Sequence, residues 1–180
     1  MRALKKNITS EIAKDEDVWF FDESRFGTHS NVGHAWYPTG TRTAIDIKLG
    51  YENFYLYSAV NPRTGEEFTL ILPKVNTLCM NIFLEQFSKA YQNKKIALIM
   101  DGAAWHHSNG LRQTDNIRNI ILPPYSPELN PVEKLWQYIK DKTIKNKVFD
   151  NLDHLENSIV HFLKTITLDN IKTICNVNYI

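Results

Sequence analysis

The chain has 180 residues, a formal net charge of +1 and 43% hydrophobic residues, which suits one domain with a full core and leaves no room for two sizeable ones. That charge excludes a globally basic nucleic-acid binder, so any basic footprint must come from local clustering. Cys79 and Cys175 are too few and too far apart for a disulfide framework or a paired-cysteine zinc motif, and no segment reads as a signal peptide or membrane span. These features predict a cytosolic protein.

Residues 1–16 read as a polar lead-in or linker stump, with Lys5, Lys6 and Lys14 among several acids. Val18 to Phe21 is a continuous apolar run, as expected of a strand buried on both faces, and it ends on Asp22. A carboxylate there is costly to bury unless paired or bound to a metal. From Glu23 to Gly40 the chain is polar and Gly-rich, with Ala35 to Tyr37 as a short strand and Pro38 to Gly40 as a turn. Asn53 to Val60 and Phe68 to Leu72 read as further strands, joined by the turn Asn61 to Gly65. Short connections make these segments an antiparallel meander.

The rhythm then changes. Thr77 is placed to cap a helix with Phe83, Leu84, Phe87 and Tyr91 on one face, and the all-apolar strand Ile96 to Met100 ends on Asp101. A helical stretch from His107 to Gln113 leads to a strand from Ile117 to Leu122. Pro123, Pro124 and Pro127 stiffen the next connection. A helix follows, with Asn130 as N-cap, Pro131 at its first position, Glu133 at its third, and Val132, Leu135, Trp136 and Ile139 on the buried face. A last helix spans Leu152 to Ile166, its core face being Leu152, Leu155, Ile159, Phe162 and Leu163. Alternation of apolar strands with helices predicts an α/β fold with a parallel portion and helices on both sheet faces.

Two buried strands that each end on an aspartate would deliver Asp22 and Asp101 to one edge of the sheet if they are parallel neighbours. Glu133, at the start of a helix following a strand of the same sheet, would make a third acid. Asn130 followed by Glu133 also matches a capping box, and spacing alone favours that role. Two carboxylates about 4 Å apart repel by roughly 4 kcal/mol at an effective dielectric near 20, so three together need a cation or a proton. Oxygen-rich clusters suit Mg²⁺ or Mn²⁺, and two such ions support phosphodiester cleavage.

Three stretches, Phe21-Asp22-Glu23-Ser24-Arg25-Phe26-Gly27, Met100-Asp101-Gly102-Ala103-Ala104-Trp105-His106-His107-Ser108, and Leu122 through Trp136, together resemble the catalytic domain of IS630 and Tc1/mariner transposases. The resemblance covers residues 17–180. It implies a ribonuclease-H-like fold with a mixed five-stranded sheet, three antiparallel strands and then two parallel. It implies a DDE triad of Asp22, Asp101 and Glu133 holding two Mg²⁺ ions, with Mn²⁺ as substitute, and it puts the metal role of Glu133 ahead of capping. The implied activity is cleavage of element ends by water, followed by attack of the freed 3′-hydroxyl on target DNA, commonly at a TA dinucleotide, by a homodimer.

Two departures stand out. The Asp101 to Glu133 step is slightly shorter than is usual in the superfamily, and Gly102 replaces a frequent asparagine. Members usually carry N-terminal helix-turn-helix domains, so the expectation is a separate DNA-binding partner chain or a gene fragment. Arg25, His106, Lys134 and Lys140 are the candidate DNA contacts. The lysines from Lys134 to Lys147 serve equally as a solvated helix face, Glu23 and Glu128 are possible stand-in acids, and Trp36, Trp105 and Trp136 are read as core. A catalytically silent relic that binds DNA or a partner, and a glycosidase built on a carboxylate pair, are the alternatives.

Overall fold

The computed structural model describes residues 10–28, 52–124 and 126–179. The expected strand Ala35 to Tyr37, its turn Pro38 to Gly40, and most of the lead-in lie outside the described residues. The strands are β1 (Asp17–Gly27), β2 (Asn53–Val60), β3 (Glu67–Leu72), β4 (Ile96–Met100) and β5 (Ile117–Ile121). The helices are α1 (Thr77–Ala90), α2 (Val132–Thr143), α3 (Leu152–Thr165) and α4 (Leu168–Ile174). One five-stranded sheet runs in the order β3-β2-β1-β4-β5. β1, β2 and β3 are antiparallel, whereas β1–β4 and β4–β5 are parallel, as expected of the ribonuclease-H-like mixed sheet.

Side chains alternate across a strand, so β1 feeds two cores. Val18, Phe20 and Phe26 join Leu135, Trp136, Ile139, Leu155 and Ile171 on the α2 side. Trp19 and Phe21 join Met80, Phe83, Leu84 and Phe87 of α1 on the other. Phe21 and Phe83 pack with ring centroids 4.7 Å apart, and burying each such ring is worth about 1.5–3 kcal/mol. The two faces clamp the strands that carry the acids.

Four expectations are corrected. β1 does not end at Asp22 but continues to Gly27, because β2 pairs with it from Phe20 to Gly27 while β4 pairs only from Asp17 to Phe20. Asn76, not Thr77, caps α1: its backbone is extended and its side chain accepts the Cys79 N–H at 2.9 Å. The expected helix from His107 to Gln113 does not form: a 3-10 turn, Ala104–His107, ends where it was to begin, and residues 108–113 are not helical. Asn81 of α1 takes the backbone groups that a helix would use, donating to the Gly110 carbonyl (2.9 Å) and accepting from the Arg112 N–H (2.8 Å). Finally, the helix from Leu152 forms as expected but is not the last, since Thr167 and Asn170 form a capping box that starts α4.

Gly65 closes the β2–β3 turn with φ of +76°, its N–H bonded to the Asn61 carbonyl at 2.8 Å. A Cβ there would fall 2.1 Å from the Leu168 carbonyl oxygen at the start of α4. Gly65→Ala therefore combines left-handed strain with a backbone clash and is expected to cost about 2–4 kcal/mol, read by urea denaturation. A loss below about 0.5 kcal/mol would mean that the turn and α4 separate freely.

Candidate active site

The parallel register determines what meets at the sheet edge. Phe20 lies opposite Ile99, so continuing that register sets Asp22 level with Asp101. Leu122 follows β5 and donates its N–H to the Met100 carbonyl at 2.7 Å, bringing the proline-rich loop to the same edge. Asp22, Asp101, Leu122, Pro123, Asn130 and Glu133 line one cleft of about 340 Å³.

Asp22 is partly buried on the α2 face, where the Trp136 indole N–H donates to its Oδ2 at 2.8 Å. Burial pushes its carboxyl up to about 7, with help from the charges of Glu133 and Glu23, and the Trp136 hydrogen bond works against that rise. Trp136 is thus core, as expected from the helix face, and also holds a carboxylate, which the sequence reading missed.

Asp101 is set differently. Its side chain is 58% exposed, while Oδ1 accepts the Ala103 N–H (3.2 Å) and faces His106 Nδ1 (2.9 Å). The His106 ring is 1% exposed and reaches Glu23 Oε1 with its Nε2 at 3.2 Å. Burial opposes charge on that imidazole, but Asp101 and Glu23 outweigh it and raise its pKa to about 10. The His106 ring is therefore held inside the protein between Asp101 and Glu23. Glu23 projects from the opposite face of β1 to Asp22, so it is not a stand-in for it.

Glu133 is exposed on α2. Pro131, not Asn130, is the N-cap residue of α2 and supplies no side-chain cap, because its backbone is already helical, so Glu133 falls at the second position and not the third. The capping box fails for a specific reason. The Asn130 N–H already donates to the Pro127 carbonyl at 2.9 Å, leaving no donor for the Glu133 carboxylate. Asn130 instead bonds twice through its side chain: its Oδ1 accepts the Val132 N–H (3.2 Å) while its Nδ2 donates to the Phe21 carbonyl (2.8 Å). That bond ties the start of α2 to β1 immediately before Asp22.

Of the remaining candidate contacts, Arg25 is exposed on β1. Lys134 Nζ donates to the Asn176 carbonyl at 3.0 Å, and Lys140 Nζ lies 5.4 Å from the Phe26 ring centroid. Among the described residues, no three acidic, histidine or cysteine side chains stand close enough to chelate one ion as placed. The all-carboxylate set of Asp22, Asp101 and Glu133, with the Asp22 carboxyl pushed up, has the chemistry that a hard divalent cation would neutralise.

Asp22 also makes stability depend on pH. Its folded-state carboxyl titrates near 7 against an ordinary value of 3.8, so between those values the folded state keeps a proton that the unfolded state has lost. Metal-free stability should fall as pH rises from about 4 to 7, by up to roughly 1.4 kcal/mol per pH unit. Asp22→Asn should flatten that slope in denaturant titrations. An unchanged slope would assign it elsewhere.

A family model described as DDE superfamily endonuclease matches residues 17–156. The Shigella sonnei insertion element IS630 39 kDa protein is 26% identical over 172 residues, covering 93% of this chain and 50% of that protein. The Caenorhabditis elegans Tc3 transposase is 24% identical over 182 residues, covering 94% of this chain and 54% of that protein. The chain thus spans about half the length of these relatives. The Mos1 mariner paired-end complex with Mn superposes with a TM-score of 0.72 at 16% identity, covering 97% of this chain and 56% of that one. The glycosidase alternative has no place in this company. With its ribonuclease-H-like sheet and its DDE-type motifs in order, the chain belongs to the DDE superfamily endonucleases, on the IS630/Tc1-mariner branch.

Proposed function

We propose that this domain cleaves DNA at the ends of a mobile element and transfers the resulting 3′-hydroxyl into target DNA, using Asp22, Asp101 and Glu133 to hold two Mg²⁺ ions, or Mn²⁺ in their place. The observation that carries this reading is that acids from β1, the end of β4 and α2 line one cleft while the capping alternative for Glu133 is already taken by the Pro127 carbonyl. When bound, the ions would activate the attacking oxygen and stabilise the leaving oxygen of the phosphodiester.

The chain's own residues supply position. Trp136 holds Asp22 through Oδ2, the His106 ring holds Asp101, and Asn130 fixes the start of the helix that carries Glu133. The proline-rich loop limits how far α2 can move relative to β5. Arg25 and Lys140 are proposed contacts to the DNA backbone, where a cation steadies a phosphate without reading sequence. Lys134 joins them only by releasing the Asn176 carbonyl. Water attacks at the element end, and the 3′-hydroxyl so formed attacks the target strand, proposed to be at TA. The working form is a homodimer on chromosomal DNA in the cytoplasm, with end recognition supplied by a helix-turn-helix segment or partner chain.

The direct test is incubation with supercoiled plasmid. Nicked circles are expected with Mg²⁺ or Mn²⁺ and none with EDTA. Intact plasmid under every metal condition would favour a catalytically silent domain.

A further inference from the structure

Asp22 and Glu23 are adjacent in β1 and point to opposite faces of the sheet, so only the first enters the cleft against α2. The second has a different set of neighbours. The Glu23 side chain is 5% exposed, and its Oε1 meets both the Trp105 indole N–H (3.0 Å) and His106 Nε2 (3.2 Å). The other ring nitrogen of His106 faces Asp101 twice, at the backbone carbonyl (2.9 Å) and at Oδ1 (2.9 Å). The ring is further confined edge-on against Phe21, with centroids 5.8 Å apart, and by the His106 N–H bond to the Ala103 carbonyl at 2.9 Å.

This arrangement spans the gap where the sheet stops. β4 ends at Met100 and pairs with β1 only as far as Phe20, so on the β1 side the paired register stops short of Asp101, while on the β5 side the last backbone bond is from the Leu122 N–H to the Met100 carbonyl. A carboxylate 58% exposed at the head of a loop would otherwise sample several rotamers. The Glu23–His106 link replaces the missing ladder with a side-chain brace from β1 to Asp101.

We propose that Glu23 is a positioning residue of the metal site, acting through His106 to hold the Asp101 carboxylate in the orientation that receives a divalent cation. Trp105 fixes Glu23, Glu23 fixes the ring, and the ring fixes Asp101. This rests on the reading of Asp101 as a metal ligand, and the test separates the two. Outer partners of this kind usually carry a 10–100-fold effect on metal affinity when removed.

The experiment is Mn²⁺ binding to the full chain without DNA, followed by calorimetry or by the electron paramagnetic resonance of free Mn²⁺. It compares wild type, Glu23→Ala, Glu23→Gln, Trp105→Phe and Asp101→Asn, with circular dichroism to confirm folding. Asp101→Asn should abolish the saturable site. Glu23→Ala should weaken it about 10–100-fold, whereas Glu23→Gln, whose amide can meet Nε2 as donor or acceptor, should stay within about threefold of wild type. Trp105→Phe should fall between them, and it and Glu23→Gln carry the test if Glu23→Ala does not fold. Wild-type affinity in both Glu23→Ala and Trp105→Phe, with Asp101→Asn inactive in binding, would overturn the brace and leave the metal site standing. A Gln variant as weak as Ala would overturn positioning in favour of charge alone. Wild-type affinity in Asp101→Asn would overturn the metal reading itself.

Discussion

Asp101→Asn and Glu133→Gln are each expected to cut metal-dependent nicking of plasmid DNA by about 10³-fold or more, with Glu133→Gln leaving stability within about 0.5 kcal/mol of wild type and Asp101→Asn losing somewhat more because it weakens the pair with His106. The contrast follows from where the groups lie. Both side chains are exposed, and each replacement keeps the size and one carbonyl oxygen of the original, so the fold loses little beyond the Asp101–His106 charge pair. What is lost is the negative charge that a hard cation requires. Asp22→Asn should lose activity to the same extent but gain stability above pH 7, because it removes a carboxylate that burial holds at about 7. Nicking rates paired with urea denaturation check all three. A Glu133→Gln enzyme retaining more than about a tenth of its activity would remove Glu133 from the site.

Asn130→Ala is expected to damage both the fold and the activity. Asn130 is buried, and truncation leaves the Phe21 carbonyl without its 2.8 Å donor and the Val132 N–H without its acceptor. An unsatisfied buried polar group costs about 1–3 kcal/mol, and with two such groups left the loss is expected to be about 2–4 kcal/mol. Activity should fall further than stability alone explains, since the bond is what ties α2 to the strand carrying Asp22. Denaturation midpoints with nicking rates at a temperature where the variant is fully folded separate the two effects. A loss under about 0.5 kcal/mol would show that the loop prolines place α2 unaided.

Asp101 and Glu133 were legible because their signals are local. An all-apolar run followed by an acid identifies β4, and the Asn130 to Val132 start with its apolar face identifies α2 to within a residue. The length of β1 was not legible, because its polar second half is a strand only through pairing with β2. The stretch from His107 to Gln113 was misread as a helix because the competing partner for its backbone, Asn81, comes from a helix earlier in the chain. Trp136 looked like core and is core, but which acid its indole N–H meets depends on the sheet order. Period-two alternation did carry a missed signal: it puts Glu23 on the opposite face from Asp22, and hence on the side of the β4–β5 connection.

The central claim is that Asp22, Asp101 and Glu133 form one metal site, and thermal unfolding with and without Mn²⁺ tests it most directly. A cation that binds only the folded state at about 100 times its dissociation constant adds about 2.7 kcal/mol, which for a chain of this size is a rise of about 5–10 °C. The account predicts that rise for wild type and its loss in Asp22→Asn, Asp101→Asn and Glu133→Gln alike. A Glu133→Gln protein stabilised by Mn²⁺ as strongly as wild type would contradict it.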